Sequence, residues 1–250
     1  MATDRNVRIA AVGDVHVAED CAGCLDLAQV DDCADMLLLA GDLTRVGDPS
    51  EAKVLADELA AVQVPIVAVL GNHDYHSDRQ PEVSDCLSQA GVTILEGDTA
   101  IINVDGCSVG IAGAKGFGGG FTGACGSDFG EPEMKAFVRH TKTIAARLEE
   151  QLSELETGLR IALLHYAPVE STLEGERLEI YPFLGSYLLG EAVDRVGADL
   201  ILHGHAHHGT EKGVTPGGIR VRNVAKPVIG HPFNVYHLGV TEDAVQPAMA

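Results

Sequence analysis

Short apolar runs alternate with amphipathic segments in the first part of the chain. Residues 7–12 and 36–40 are apolar and of strand length, and residues 20–33 between them are compatible with a helix. Continuous apolar runs of this kind are typical of strands that are buried on both faces of a parallel sheet. The chain is therefore predicted to begin with a strand–helix–strand unit.

A second helix and a third strand extend this unit. Asp48 and Pro49 stand where an N-cap and a first helical residue belong, and Leu55 and Leu59 contribute to an apolar face on the helix that follows. Residues 66–70 form the next apolar run. Another strand of the same sheet is predicted there.

Turn signals change the pattern further along the chain. Asp105-Gly106 separates two strand-like runs, and Pro216-Gly217-Gly218 precedes a third. Such turns join antiparallel strands, so mixed sheets are expected, with an acidic helix near residues 132–157 covering one face. We find no internal repeat, low-complexity tract or linker, which favours a single domain over residues 1–250.

Composition and charge exclude several classes of protein. The 46% hydrophobic content supports a folded globule, and 37 acidic against 17 basic side chains give a net charge of −20. Scattered Lys and Arg in such an acidic chain disfavour a nucleic-acid scaffold. No apolar run approaches the ~20 residues of a membrane-spanning helix, and no signal peptide is evident. We expect a cytoplasmic protein, and the oligomeric state is open.

The six cysteines are expected to be reduced in that compartment and to act as small apolar side chains. Cys21-Ala22-Gly23-Cys24 has the spacing of a redox or zinc motif but no second such pair, so a structural role is favoured.

Metal-binding side chains recur where the predicted strands end. In α/β sheets, sites form at the carboxyl ends of the strands, so five separate strand exits can bring these side chains to one crevice. Because residues two apart in an extended segment point the same way, Asp14 can act with His16 at one centre, and His205 with His207. Oxygen and imidazole ligands without thiolate suit Mn, Fe, Zn or Ni. The candidates are Asp14, His16, Asp42, Asn72, His73, His165, His205 and His207.

Five segments in order carry a family resemblance. They are Asp14-x-His16, Gly41-Asp42, Gly71-Asn72-His73-Asp74, His165 and Gly204-His205-Ala206-His207. This series resembles the motif of the calcineurin-like binuclear metallophosphoesterases over residues 14–207. The resemblance implies an α/β fold in which two mixed β-sheets pack as a sandwich flanked by helices, in four layers.

The resemblance also implies the roles of the side chains at a centre of two divalent metal ions. Asp42 would bridge the ions, and a hydroxide held between them would attack phosphorus in line. His73 would protonate the leaving oxygen, and Asp74 would orient the His73 ring. The first ion would be held by Asp14, His16 and His207, and the second by Asn72, His165 and His205.

The function expected from these features is a metal-dependent phosphodiesterase acting on nucleotide-like or other small phosphoesters. The alternatives are a phosphomonoesterase of broad specificity, a non-catalytic interaction scaffold of the same fold, and a mononuclear zinc hydrolase that uses residues 203–208 alone. Residues 41–47 lack the Asp-Arg-Gly of the protein phosphatases. Arg45 stands where the purple acid phosphatases carry a Tyr, so a Tyr–Fe(III) ligand is not expected.

Arg45 and Lys115 are candidate contacts for a substrate phosphate. For Arg45, an ion pair with Asp48 or Glu51 is the alternative. The Gly-rich residues 113–121 do not form a P-loop, because Lys115 lacks the Gly before it and the Ser or Thr after it. A mobile loop is the simpler interpretation of this segment.

Overall fold

The computed structural model describes residues 6–21, 23 and 25–240. The strands are β1 (Asn6–Val12), β2 (Met36–Ala40), β3 (Ile66–Val69), β4 (Val92–Ile94), β5 (Asp98–Val104), β6 (Cys107–Ala114), β7 (Gly120–Phe121), β8 (Ala124–Cys125), β9 (Leu159–Leu164), β10 (Leu200–His203), β11 (Lys212–Val214), β12 (Arg220–Asn223) and β13 (Asn234–Gly239). The α-helices are α1 (Val30–Cys33), α2 (Pro49–Leu59), α3 (Gln80–Gln89), α4 (Pro132–Glu154), α5 (Tyr181–Leu184), α6 (Tyr187–Val196) and α7 (Lys226–Ile229). Short 3-10 turns cover His73–Tyr75, Glu170–Leu173 and Leu178–Ile180.

Two large sheets organise the chain. The first has the order β13-β1-β2-β3-β4, in which β1 to β4 are parallel and β13 is antiparallel to β1. The second has the order β11-β12-β10-β9-β6-β5, with a parallel centre and an antiparallel strand at each edge. Strands β7 and β8 form a separate small ribbon. The predicted mixed sheets are confirmed.

The two large sheets pack face to face. Alternate residues of β2 point to opposite sides, so Leu38 faces the second sheet while Leu37 and Leu39 face the helices. Between the sheets, Leu38 belongs to one apolar cluster with Ile111 and Leu163. This period of two is what a strand buried on both faces requires.

Helices cover the outer face of each sheet. Leu55 of α2 and Leu87 of α3 pack on the first sheet, and Leu148 of α4 and Leu189 of α6 pack on the second. The result is a four-layer helix–sheet–sheet–helix arrangement, as predicted. Within the described ranges, no helix combines the length and apolarity needed to cross a membrane.

The local turn and cap signals are confirmed. The Asp48 carboxylate accepts the Ser50 N–H at 2.9 Å and so caps α2, whose first residue is Pro49. Asp105 and Gly106 both have positive φ and join β5 to β6, and β11 pairs antiparallel with β12. These features were predictable because they depend on residues that are adjacent in the chain.

The predicted helix over residues 20–33 is wrong, because among the described residues of this range only Val30–Cys33 is helical. Leu25 and Leu27 are buried while Asp26 between them is exposed, and this alternation belongs to extended chain. The Glu58 carboxylate of α2 accepts the Leu25 N–H at 3.0 Å, a donor that a helix would use internally. A contact with a distant helix therefore replaces local helical bonds.

The expectation that every cysteine is reduced is also wrong, since Cys21 is disulfide-bonded. Among the residues the structure describes, Cys33, Cys86, Cys107 and Cys125 are not part of a disulfide. Cys24 lies outside the described residues.

Candidate metal centre

Five strand ends deliver the predicted ligands to one place. Strands β1, β2, β3, β9 and β10 each lead into a segment that carries part of the site. The ligand atoms fall into two groups, and within each group they lie within 4.8 Å of one another. The first group is Asp14, His16, Asp42 and His207, and the second is Asp42, His165 and His205.

The first group is arranged around the buried Asp14. His207 Nε2 lies 2.8 Å from Asp14 Oδ1 and 3.5 Å from His16 Nε2. His16 Nε2 is in turn 3.8 Å from Asp42 Oδ2. Two imidazole nitrogens and two carboxylates thus face a common point, which is a ligand set suited to a divalent cation.

The second group is centred on the fully buried His165. Its Nε2 lies 3.3 Å from Asp42 Oδ1 and 3.0 Å from Asn72 Oδ1. The His165 and His205 rings are 4.8 Å apart between centroids. Asp42 faces both groups, with Oδ2 towards His16 and Oδ1 towards His165. A carboxylate placed in this way can bridge two ions.

Backbone carbonyls hold two of the rings. His165 Nδ1 donates to the Ala40 carbonyl at 2.9 Å, and His205 Nε2 donates to the Phe183 carbonyl at 3.1 Å. In each ring the other nitrogen keeps its lone pair and is free to bind a metal. Ala40 and Phe183 could not be identified from sequence, because any residue supplies a carbonyl.

Several ligand residues adopt the left-handed backbone region that non-glycine residues seldom visit. The φ angles are +57° at Asp14, +45° at His16, +50° at Asp42 and +69° at His205. Such strain persists where the surrounding structure requires it, and it concentrates at functional sites. The turn at His205 also separates this residue from His207, so the expectation that these two histidines act at one centre is wrong.

Glycines allow the strand ends to approach each other closely. A Cβ at Gly41, where φ is +81°, would lie 2.6 Å from His165 Nδ1. A Cβ at Gly71 would overlap Asp42 Oδ1 and the Asp42 backbone nitrogen. A side chain at either position would displace the residues that are predicted to bind metal.

The surroundings of the ligand side chains shift their pKa values in different directions. Burial lowers the pKa of His205 to about 3, with the neighbouring His165 adding to the effect. Burial alone would raise the pKa of Asp14, but hydrogen bonds from His207 and His205 outweigh it and hold that pKa below its usual value. Burial also lowers the pKa of His16, whose Nδ1 is buried without a hydrogen-bond partner in the described part of the chain. The pKa of His207 is raised instead, chiefly by its hydrogen bond to Asp14. Two carboxylates and four imidazoles are a donor set that suits a pair of divalent cations.

His73 borders both groups at the surface, but Asp74 does not hold its ring. His73 Nδ1 donates to the Arg45 carbonyl at 2.7 Å, which leaves Nε2 facing Asp42 Oδ2 at 4.0 Å. The prediction that Asp74 orients His73 is therefore wrong. The Asp74 carboxylate is fully buried and accepts N–H groups of Leu43, Thr44 and Gly71 and the Thr44 hydroxyl. It joins the loops after β2 and β3.

The two predicted substrate contacts differ in their surroundings. The Arg45 guanidinium is 59% exposed and lies 3.9 Å from the Glu51 carboxylate, so the ion pair is the arrangement that the structure shows. Lys115 follows β6 and extends over the Tyr75 ring. In the Gly-rich segment around it, Gly116, Gly118, Gly119 and Gly120 are buried.

A two-sheet sandwich with two Asp–His groups that share one aspartate is the arrangement of a binuclear metallohydrolase. A sequence model described as calcineurin-like phosphoesterase matches residues 7–209. The chain belongs to the calcineurin-like phosphoesterase family and is a metal-dependent, binuclear metallophosphoesterase. No curated protein sequence matches the chain.

Solved structures support the fold. A phosphopantetheinyl hydrolase from Mycobacterium tuberculosis is similar with a TM-score of 0.66 and 16% identity, and the match covers 92% of each chain. A putative 5′-nucleotidase from Staphylococcus aureus is similar with a TM-score of 0.55 and 16% identity, over 98% of this chain and 56% of the other. At these identities the likeness concerns the sandwich architecture.

Proposed function

We propose that this protein is a phosphodiesterase acting on nucleotide-like or other small phosphoesters. The observation that carries the proposal is the pair of ligand groups that meet at Asp42, with ligand atoms of each group within 4.8 Å of one another. When bound, two divalent cations, Mn, Fe, Zn or Ni, supply Lewis-acid activation of water and of the phosphoryl oxygens. Asp14, His16, Asp42 and His207 would hold one ion, and Asp42, Asn72, His165 and His205 the other.

His73 is positioned to move a proton. Its Nδ1–H is committed to the Arg45 carbonyl, so Nε2 is the ring atom that can hold and deliver a proton at the site. The side chain is 43% exposed, which leaves it accessible to a substrate. We assign to Nε2 the protonation of the leaving oxygen.

A diester is favoured because space is available beside the metal centre for a second esterified group. A cavity of about 260 Å³ is lined by Tyr75, which shares a 3-10 turn with His73, and by Lys115. A phosphomonoester has no second substituent to place there.

The role of His73 is tested by changing the leaving group. His73→Ala should lower kcat/KM on diphenyl phosphate by about 10²-fold or more, since general acids contribute ~10²–10⁴-fold, and should lower it much less on bis(4-nitrophenyl) phosphate. The nitrophenolate leaves without help from an acid. The exposed His237 offers a matched control in His237→Ala, which should change neither rate. Equal losses on the two esters for His73→Ala would rule out the acid role.

The reaction class is tested with metal analysis and a pair of substrates. Protein loaded with Mn²⁺ should bind two ions per chain and hydrolyse bis(4-nitrophenyl) phosphate faster than 4-nitrophenyl phosphate. The reverse preference would favour the phosphomonoesterase, and a single ion would favour the mononuclear hydrolase. Two bound ions without hydrolysis of either ester would contradict a catalytic role.

The partner and the cellular location of the protein are also proposals. We propose a small phosphoester as the partner, on the strength of the two ligand groups that meet at Asp42, and a cytoplasmic location. The acidic charge of −20 and the scattered basic residues disfavour a nucleic-acid scaffold. The disulfide at Cys21 runs against the reduced thiols expected in the cytoplasm, so fractionation of cells that express the tagged protein is the direct test.

A further inference from the structure

The cavity beside the metal centre is a separate compartment with its own chemistry. Its lining includes Tyr75, Glu96, Lys115, Ile144 and Arg147, and it includes none of the seven candidate metal ligands. It nevertheless adjoins them, because the Lys115 carbonyl accepts the backbone N–H of His165 at 3.0 Å. The cavity and the metal centre are therefore neighbours across the segments that carry Lys115 and His165.

Lys115 brings to this cavity an ammonium that lies over aromatic rings and is attracted electrostatically to the carboxylate of Glu96. Its ammonium lies 4.2 Å from the centroid of the Tyr75 ring and 5.6 Å and 5.9 Å from those of Phe117 and Tyr166. No hydrogen bond or ion pair connects Nζ to any residue in the described ranges. Burial lowers the pKa of this ammonium, which is the direction expected for a charge that is partly removed from water. Three N–H donors are thus available to a ligand.

The other charged side chains of the cavity are already engaged. Glu96 accepts the Tyr75 hydroxyl at 2.6 Å and the Leu70 N–H at 3.3 Å, one with each carboxylate oxygen. Arg147 donates to the Gly97 carbonyl at 2.8 Å and pairs with Glu150 at 3.1 Å. Lys115 is therefore the cation lining this cavity whose N–H donors make no hydrogen bond to any residue that the structure describes.

We propose that this cavity binds the part of the substrate remote from the scissile bond, and that Lys115 recognises a carboxylate or phosphate group on that part. The inference rests on the proposed phosphodiesterase function and specifies its substrate class. The apolar walls formed by Tyr75 and Ile144 suit the spacer between the reacting phosphate and this second acidic group. An ammonium with free donors in a chain with a net charge of −20 is the feature that selects an anion there.

Two diesters that differ by one carboxylate test this proposal. With Mn²⁺-loaded wild-type protein, 4-nitrophenyl 4-carboxyphenyl phosphate should have a kcat/KM about tenfold above that of 4-nitrophenyl phenyl phosphate, as expected for one charge-assisted hydrogen bond. Lys115→Met should abolish most of this ratio, and Lys115→Arg should retain it. Lys53→Met removes an exposed lysine of α2 and should leave the ratio unchanged. Loss of both rates to the same extent in Lys115→Met would overturn the proposal and place Lys115 at the reacting phosphate.

A binding measurement separates failure of this inference from failure of the proposed function. By calorimetry, 4-carboxyphenylphosphonate should bind the wild-type protein about tenfold more tightly than phenylphosphonate, and Lys115→Met should remove the difference. If the wild-type protein hydrolyses neither diester, the proposed function fails while the calorimetric comparison still decides the role of Lys115. If the wild-type protein hydrolyses both diesters without a preference, the inference fails and the proposed function stands. If the Lys115→Met protein does not fold, the two wild-type comparisons, of the diester rates and of the phosphonate affinities, still test the proposal.

Discussion

The hydroxyl of Thr44 should contribute measurably to the stability of the loops that carry Asp42 and Asn72. Thr44 and Asp74 are fully buried, and Thr44 Oγ1 donates to Asp74 Oδ1 at 2.6 Å while it accepts the Gly47 N–H at 3.2 Å. Thr44→Val keeps the shape of the side chain but removes both bonds. Losing a hydrogen bond to a charged group costs ~1.5–3 kcal/mol, and leaving the Gly47 N–H without its acceptor costs about 1 kcal/mol more. We expect a loss of about 2–4 kcal/mol, a large part of the ~5–15 kcal/mol that stabilises a typical domain.

This loss can be measured by urea unfolding at pH 8 in the presence of EDTA. Burial raises the pKa of Asp74 to about 6, so the carboxyl is ionised at that pH and its hydrogen-bond donors matter most. Unfolding is followed by circular dichroism, because the chain contains no Trp. Thr44→Ser is the matched control, since it keeps the hydroxyl and loses only a methyl group, at a cost of ~1 kcal/mol. If Thr44→Val is no less stable than Thr44→Ser, the reasoning about Asp74 is refuted.

Two further predictions concern the crowding at Gly71 and the titration of Glu96. Gly71→Ala places a Cβ against Asp42 Oδ1, so calorimetric titration should show Mn²⁺ binding weakened at least ~10-fold. Gly126→Ala is the control, because its Cβ would have a methyl group at 3.3 Å as its nearest contact and should leave Mn²⁺ affinity unchanged. Equal Mn²⁺ affinities of the two variants would contradict the crowding at Gly71. Burial raises the pKa of Glu96 above its usual 4.5. Above pH 4.5 the Glu96 carboxyl therefore holds more protons in the native state than in the unfolded chain. Its contribution to the free energy of unfolding consequently falls as the pH rises. The stability of Glu96→Gln relative to wild type should therefore increase from pH 4.5 upward in urea titrations, and parallel pH profiles would exclude this effect.

Local patterns in the sequence were enough to identify most strands and several turns. A strand such as β2 can be recognised in the sequence because every one of its residues is apolar. The helix cap at Asp48 and the turn at Asp105-Gly106 can be recognised because they depend only on neighbouring residues. The family motif also depends on short segments, and each of its ligand-bearing segments lies at a strand end in the structure. Side-chain chemistry and short-range periodicity are properties that the linear order of residues carries directly.

Other features depended on how distant segments meet. Residues 25–27 have a composition that permits a helix, but the Glu58 carboxylate of α2 binds the Leu25 N–H and this stretch is extended. Asp74 stands beside His73 in the chain, yet its carboxylate turns inward to the loop that contains Thr44. In both cases a polar group found better-satisfied hydrogen bonds through a tertiary contact than through its sequence neighbours.

From periodicity and residue type, the sequence alone determined the mixed α/β sheets and the side chains capable of binding metal. The four-layer architecture, the family and the two ligand groups were implied by the resemblance of its short motifs to the metallophosphoesterases. The tertiary structure shows these two groups with Asp42 facing both, and it alone decided that backbone carbonyls orient His165 and His205. It also decided that the Lys115 ammonium lies without an ion-pair partner, among described residues, in a cavity beside the site. The reason is geometric: Ala40 and His165 are 125 residues apart in the chain, and only the packing of one sheet on the other brings them within 2.9 Å.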